Sequence, residues 1–320
     1  MPHEILILSR KFWSARNAYV DDFLSRRDCV AAEHDVTYPV DEDTLCEIVR
    51  TAEGIITGLE RITARVIESA PHLKVVSAGG VGFDHIDLAA ANQRGIVVAN
   101  CAGCNNHSVS ELAFGMMLTL ARNVVTHDAE IKRGGWVPYD IAVQGSELWG
   151  KTLGIVGLGR VGKASALLAK AFGMRVLAYD IAWDITFANQ NGISLVPLDT
   201  LLAQSDWVTL HCPLTNATRG LIDERAIELM KPSAFLINTA RGPVVKESAL
   251  VNALATKRIA GAGLDVFEVE PHPDNPYIEF ENVVLTPHIG GSTREAFDRS
   301  LYLASRTSPM LSTGYRHTVR

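Results

Sequence analysis

The sequence predicts an α/β protein built as two doubly wound parallel-sheet domains. Three observations lead there. Short apolar runs alternate with helical patterns from Glu4 to Ala99, the alternation restarts at Lys151 after a polar interval, and a glycine-rich turn joins the first strand to the first helix of that second run. Strands that are apolar throughout need cover on both faces, which crossover helices on a parallel sheet provide. A chain of 320 residues is long for one core and comfortable for two.

In the first run, strands are expected at Glu4–Ser9, Gly54–Thr57, Lys74–Ser77 and Gly95–Ala99, with helices at Asp41–Ala52, Ala64–Ser69 and Asp87–Arg94. A long apolar helix follows, from Ser108 to Arg122, its start marked by an S-x-x-E capping box of Ser108 and Glu111. After the polar stretch Gly134-Gly135-Trp136-Val137-Pro138, the second run places strands at Lys151–Val156, Arg175–Tyr179, Trp207–His211, Ala234–Asn238, Ala260–Val266 and Asn282–Leu285. Its helices are Arg160–Phe172, closed by Gly173, then Leu198–Gln204, Asp223–Met230 and Lys246–Thr256. A last helix is expected over Glu295–Ser305, broken by Arg306-Thr307-Ser308-Pro309.

Composition narrows the function classes. A net charge of −6 gives no general footprint for nucleic acid or an anionic membrane. The longest apolar stretch, around Leu112–Ala121, is far below the roughly 20 residues that span a bilayer. Met1-Pro2-His3-Glu4-Ile5 lacks the basic start of a signal peptide, and the five cysteines are sparse and odd in number, so a cytoplasmic protein without a disulfide framework is expected. Cys101 and Cys104 form a lone CxxC, which without further Cys or clustered His is too few ligands for a metal; none is expected.

The sharpest motif is Gly157-Leu158-Gly159-Arg160-Val161-Gly162. It follows an apolar strand and opens a helix, the context in which GxGxxG signals a dinucleotide site. Gly157 allows the tight turn, Gly159 lets a pyrophosphate approach, and Gly162 lets helix and strand pack closely. Asp180 ends the next strand, 18 residues beyond Gly162, where a carboxylate accepts from ribose hydroxyls and repels a 2′-phosphate. NAD is therefore expected over NADP.

Three further segments carry polar residues at strand ends: Asn238-Thr239-Ala240-Arg241-Gly242-Pro243, then Gly263 to Pro271, then Thr286-Pro287-His288-Ile289-Gly290-Gly291. With these four motifs in order, the chain from about Gly54 to Thr293 resembles the D-isomer-specific 2-hydroxyacid dehydrogenase family, which includes phosphoglycerate, glycerate and lactate dehydrogenases. The resemblance implies a Rossmann NAD-binding domain, 101–293, inserted into a substrate domain made of 1–100 and 294–320. It also implies a homodimer joined through about Asn123–Trp149. The implied catalytic residues are Arg241, Glu270 and His288. Imidazole titrates near neutral pH and suits the acid/base role of His288. Glu270, the acid directly before Pro271, would hold the ring and favour its charged form. The Arg241 fork would bind the substrate carboxylate and polarise the carbonyl. Taken singly, a surface Arg, a capping Glu and a core His are the more frequent readings of the three; together, behind a dinucleotide fingerprint, those readings become minor. Glu268 is read as solvated. The resemblance further places Cys212, Pro213, Thr239 and Gly290 along the cofactor and Asp265 near the nicotinamide carboxamide, with Cys212 a small lining residue.

Gly79-Gly80-Val81-Gly82-Phe83-Asp84 resembles the family loop whose backbone N–H groups grip the substrate carboxylate, so Gly80, Val81 and Gly82 are candidates, with Asn105 as a substrate or cofactor contact. A plain strand-to-helix turn is the other reading of that loop. Two positions depart from the family pattern, Ala102 where Pro is frequent and Ser110 where Ala is usual. Ile55–Gly58 and Ser77–Gly79 contain no Arg or Lys to pair a phosphate, and Arg61 falls toward the following helix. A small unphosphorylated 2-hydroxy or 2-oxo acid is therefore the expected substrate. The alternatives are a D-3-phosphoglycerate dehydrogenase and a non-catalytic NAD-sensing protein of the same fold. Glu270 stands where formate dehydrogenases have Gln.

Overall fold

In strand β1 (His3–Ile7), alternate side chains serve different cores, Leu6 joining one buried cluster and Ile5 and Ile7 another. That is how a strand covered on both faces must behave. The computed structural model describes residues 2–9, 18–34, 38–138 and 145–307. They divide into two units, one running to Asn105 and resuming at Gly291, the other spanning Asn106–Gly290.

The first unit continues with α1 (Ala18–Ser25), β2 (Cys29–Glu33), α2 (Glu42–Ile48), β3 (Gly54–Thr57), α3 (Ala64–Glu68), β4 (Val75–Ala78), α4 (Leu88–Gln93) and β5 (Val97–Asn100). Its sheet is parallel throughout, in the order β2-β1-β3-β4-β5. Helices start where a short polar side chain accepts a free backbone N–H. Asp41 takes that of Thr44, Thr63 that of Val66, and Asp87 that of Ala90. Each cap contributes about 1 kcal/mol.

The second unit comprises α5 (Asn106–Arg122), α6 (Val124–Lys132), β6 (Thr152–Val156), α7 (Arg160–Ala171), β7 (Arg175–Tyr179), α8 (Ile185–Asn191), β8 (Ser194–Leu195), α9 (Leu198–Gln204), β9 (Trp207–Leu210), α10 (Glu224–Leu229), β10 (Phe235–Asn238), α11 (Glu247–Ala255), β11 (Gly261–Leu264) and β12 (Val283–Leu285). Its parallel sheet has the order β12-β11-β10-β9-β6-β7-β8. The strand order reverses between β6 and β9, and open α/β sheets bind ligands at such a reversal, beyond the strands' carboxyl ends. A final helix, α12 (Arg294–Thr307), belongs to the first unit, where Leu301 and Ala304 bury against Ile5, Ile7 and Ile56.

The two parallel α/β sheets agree with the predicted fold class; several details do not. Helix α5 begins two residues before the expected cap, so Ser108 lies buried inside its first turn rather than at its N-cap. Helix α6 lies between the expected long helix and the polar stretch at Gly134, where no element was expected. Helix α12 runs through Arg306 and Thr307, where a break was expected. Pro309 lies outside the described residues.

Candidate active site

The glycine turn sits at the strand reversal. Gly157 has φ +96°, and a Cβ there would fall 2.6 Å from the Cys212 backbone nitrogen at the end of β9. A Cβ on Gly162 would fall 2.1 Å from the Gly157 carbonyl. Both positions therefore require glycine for close packing. Gly159 differs, since a Cβ there would meet nothing within 4 Å. Gly159 is also the N-cap of the 12-residue α7 and offers no side-chain cap. An open space before an uncapped helix N-terminus suits a pyrophosphate. Asp180 holds the turn from the other side, one carboxylate oxygen accepting from Leu158 N–H at 2.7 Å and the other from Ala182 N–H at 3.0 Å. The Thr239 hydroxyl is buried with no hydrogen-bond partner among the described residues. Burial pushes the Cys212 thiol up to about 11, which leaves it a small neutral wall beside Gly157. Arg160 is exposed and Val161 half-buried. The open cradle, the acid and the orphan hydroxyl fit a dinucleotide.

Sequence reasoning missed His211, one residue before Cys212. Its ring lies largely inside the protein, and burial drives its pKa down to about 3 and keeps it neutral. Nε2 lies 3.0 Å from the Ser165 hydroxyl on α7 and 3.1 Å from that of Thr209 on β9, so the imidazole ties helix to sheet behind the glycine turn. A histidine closing an apolar strand was the only signal available.

The polar strand ends of the second unit converge through backbone contacts. Asn238 accepts from Ala240 N–H and donates to the Arg241 carbonyl, which sets Arg241 in extended geometry beyond β10. A Cβ on Gly242 would fall 1.9 Å from the Phe267 carbonyl, so only glycine lets the Arg241 turn rest on the Phe267–Glu268 peptide. Phe267 N–H donates to Glu270 Oε1 at 2.9 Å. Glu270 Oε2 lies 2.6 Å from His288 Nδ1, with both side chains about a quarter exposed. Burial opposes ionisation of Glu270, but the His288 hydrogen bond and charge, the Phe267 N–H and the Arg241 charge outweigh it and hold the carboxyl below its ordinary value. Glu268 is exposed and takes no part.

His288 has φ +53°, an uncommon conformation for a side-chain-bearing residue. Buried Asp265 supplies the restraint. Its carboxylate accepts from the Thr286 hydroxyl at 2.6 Å, Ile289 N–H at 2.7 Å and Gly290 N–H at 2.8 Å, and its carbonyl accepts from His288 N–H at 2.8 Å. Burial pushes this carboxyl up while the three donors pull it back. With Nδ1 held by Glu270, His288 Nε2 is the ring atom left to exchange a proton. Gly80, Val81, Gly82 and Asn105 belong to the first unit, where a Cβ on Gly80 would meet nothing within 4 Å and Asn105 Oδ1 is buried without a partner among the described residues.

Residues 114–290 match the family model of the D-isomer specific 2-hydroxyacid dehydrogenase NAD binding domain. Over 277 residues the chain is 45% identical to a glyoxylate reductase of Thermofilum pendens, covering 84% of this chain and 81% of that protein. A D-3-phosphoglycerate dehydrogenase of Archaeoglobus fulgidus is 44% identical over 256 residues, which cover 80% of this chain but 48% of the relative. Among solved structures, the D-lactate dehydrogenase of Aquifex aeolicus complexed with NAD and lactic acid superposes with a TM-score of 0.81 at 29% identity, over 98% of this chain and 96% of that one. A glycine cradle at the strand reversal, a carboxylate-held imidazole and relatives of one chemistry that match most of this chain lead to one assignment: the chain belongs to the D-isomer specific 2-hydroxyacid dehydrogenase family and is an NAD-dependent oxidoreductase of 2-hydroxy acids.

Proposed function

We propose that the protein reduces a small unphosphorylated 2-oxo acid of the glyoxylate kind to its D-2-hydroxy acid. The observation that carries the mechanism is the 2.6 Å contact between His288 Nδ1 and Glu270, which points the proton chemistry to Nε2. Arg241 binds the substrate carboxylate and polarises the carbonyl oxygen, His288 gives that oxygen its proton, and Glu270 stabilises the ring while it is charged. The bound cofactor supplies the hydride. Gly157, Gly159, Arg160, Val161 and Gly162 take its pyrophosphate side and Asp180 its ribose, with Cys212, Pro213, Thr239, Asp265 and Gly290 along it. The first unit is the substrate domain, in which Gly80, Val81, Gly82 and Asn105 meet the substrate.

Two points support an unphosphorylated substrate. The glyoxylate reductase match spans most of both proteins. At the end of β3, Glu60 is buried and accepts from Gly58 N–H at 2.6 Å and the Thr57 hydroxyl at 3.0 Å, so an internal carboxylate already holds donors a second anion would use. Large apolar side chains exposed in the segment 123–149, Trp136 at 79% and Trp149 at 74% among them, support a homodimer through that face, checked by sedimentation equilibrium. Five buried free thiols support a reducing, cytoplasmic setting, checked by cell fractionation.

The deciding experiment measures kcat/KM for glyoxylate, hydroxypyruvate, pyruvate and 3-phosphohydroxypyruvate with NADH and NADPH. Glyoxylate or hydroxypyruvate with NADH should lead. A preference for the phosphorylated acid would establish the phosphoglycerate reading instead, and no turnover of any acid would leave an NAD-sensing protein.

A further inference from the structure

The turn after β4 has a property that follows from its carbonyl groups rather than from its glycines. Three consecutive carbonyl oxygens are each held by a donor from elsewhere in the first unit. Gly79 O accepts the Ser300 hydroxyl of α12, Gly80 O accepts Cys101 N–H at 2.9 Å, and Val81 O accepts the Asn100 side-chain amide at 2.6 Å. In a trans peptide the C=O and N–H of one unit point in opposite directions. Fixing those three oxygens therefore turns the N–H groups of Gly80, Val81 and Gly82 the other way. None of the three donates to any group among the described residues. Beside Gly80 lies the open space noted above. Successive N–H groups of this kind form a concavity for an anion.

The donors are themselves held in place. Cys101 Sγ donates to the Ser300 carbonyl at 3.3 Å, and Arg299 Nε donates to the Cys104 carbonyl at 2.6 Å. Ser300 Oγ also lies 3.2 Å from Cys104 Sγ. A hydroxyl has one proton, and that of Ser300 goes to Gly79, so the Cys104 thiol donates into Ser300. Burial pushes both thiols up, Cys101 to about 12, and keeps them protonated donors. The CxxC pair thereby acquires a structural part, as the floor under the serine.

We propose that Ser300 and Asn100 are positioning residues for substrate binding, which hold the carbonyls of Gly79 and Val81 away and aim the adjoining N–H groups at the substrate carboxylate. This inference rests on the 2-oxo acid reading above. Ser300 never touches the substrate, so its loss should act on the affinity for the acid and leave the hydride step alone.

The test uses Ser300→Ala and Asn100→Asp, the second almost isosteric but, when ionised, without a donor for Val81 O. KM for glyoxylate should rise about tenfold in each, the scale of losing well-placed hydrogen bonds to a charged group, with kcat and KM for NADH within about twofold of wild type. Calorimetry of oxamate binding to the NADH complex reads the carboxylate site without turnover, and its Kd should rise by the same factor. Ser300→Thr, which keeps the hydroxyl, should restore KM. Equal oxamate affinity in wild type and Asn100→Asp would overturn the inference even if Ser300→Ala failed to fold, as would a fall in kcat at unchanged KM. A wild type whose oxamate affinity falls in Ser300→Ala and Asn100→Asp, yet which reduces no 2-oxo acid, would sink the function reading and leave this inference standing.

Discussion

Two loops, one in each unit, solve the same problem with opposite chemistry. After β12, the carboxylate of Asp265, reaching over from the end of β11, consumes the N–H groups of Ile289 and Gly290 and the Thr286 hydroxyl, so what the loop presents is an imidazole. After β4, donors from Ser300, Cys101 and Asn100 consume carbonyl oxygens, so what the loop presents is a row of N–H groups. Both strand ends carry polar backbone that must find partners. Whether the internal partner is an acceptor or a donor decides which half of the peptide is left for a ligand. An acidic anchor suits a loop whose task is to hold a proton-transferring ring, and donor anchors suit a loop that meets an anion.

That contrast ranks the expected effects of mutation. The largest belongs to the ring itself. His288→Gln should lower kcat by at least about 100-fold, the usual scale for a positioned acid/base group, while NADH affinity by fluorescence titration stays near wild type. Normal turnover in the purified variant would remove His288 from the chemistry. Next comes the anchor. Asp265→Ala leaves three donors facing an apolar gap and frees the loop that keeps His288 at φ +53°. A loss of about 1–3 kcal/mol in unfolding free energy, the cost of orphaned buried groups, should accompany a roughly tenfold fall in kcat. If urea melts and kcat are both unchanged, the loop is held by something other than Asp265.

The two loops were unequally legible in the sequence. Arg241, Glu270 and His288 stand in short motifs beside apolar strands, and Glu270 and His288 are only 18 residues apart. Ser300 and Gly79 are separated by 221 residues, and no local pattern connects a serine in a helix to a carbonyl in a turn. Strands such as Trp207–Leu210, buried at every position, could be read as apolar runs. β2 could not, because Cys29–Glu33 is an edge strand with Val30 half exposed, and one-sided burial relaxes the apolar requirement. Ser108 and Glu111 satisfied the letter of a capping box, yet the helix starts at Asn106, since a box marks a possible start without setting one.

The smallest effect, and the finest probe of the acidic side of the comparison, is pH dependence at Glu270. Its carboxyl is held below its ordinary value although burial opposes this, because His288, Phe267 N–H and Arg241 all favour the anion. A depressed folded-state value means the stabilisation is present in full above the unfolded value, about 4.3 for glutamate, and is lost as pH falls through the folded one. Wild type should therefore lose stability relative to Glu270→Gln as pH falls below about 4.3. The Gln variant keeps an acceptor for Phe267 N–H, so the difference reports charge rather than a missing hydrogen bond. The same substitution reaches the chemistry. Reduction draws a proton from the ring and is supported by the carboxylate beside it, so removing that charge should lower kcat for reduction while KM for NADH stays near wild type. Equal kcat for reduction in wild type and Glu270→Gln would mean that the 2.6 Å contact contributes nothing to the proton step, and that the ring is held in place by Asp265 and its loop alone.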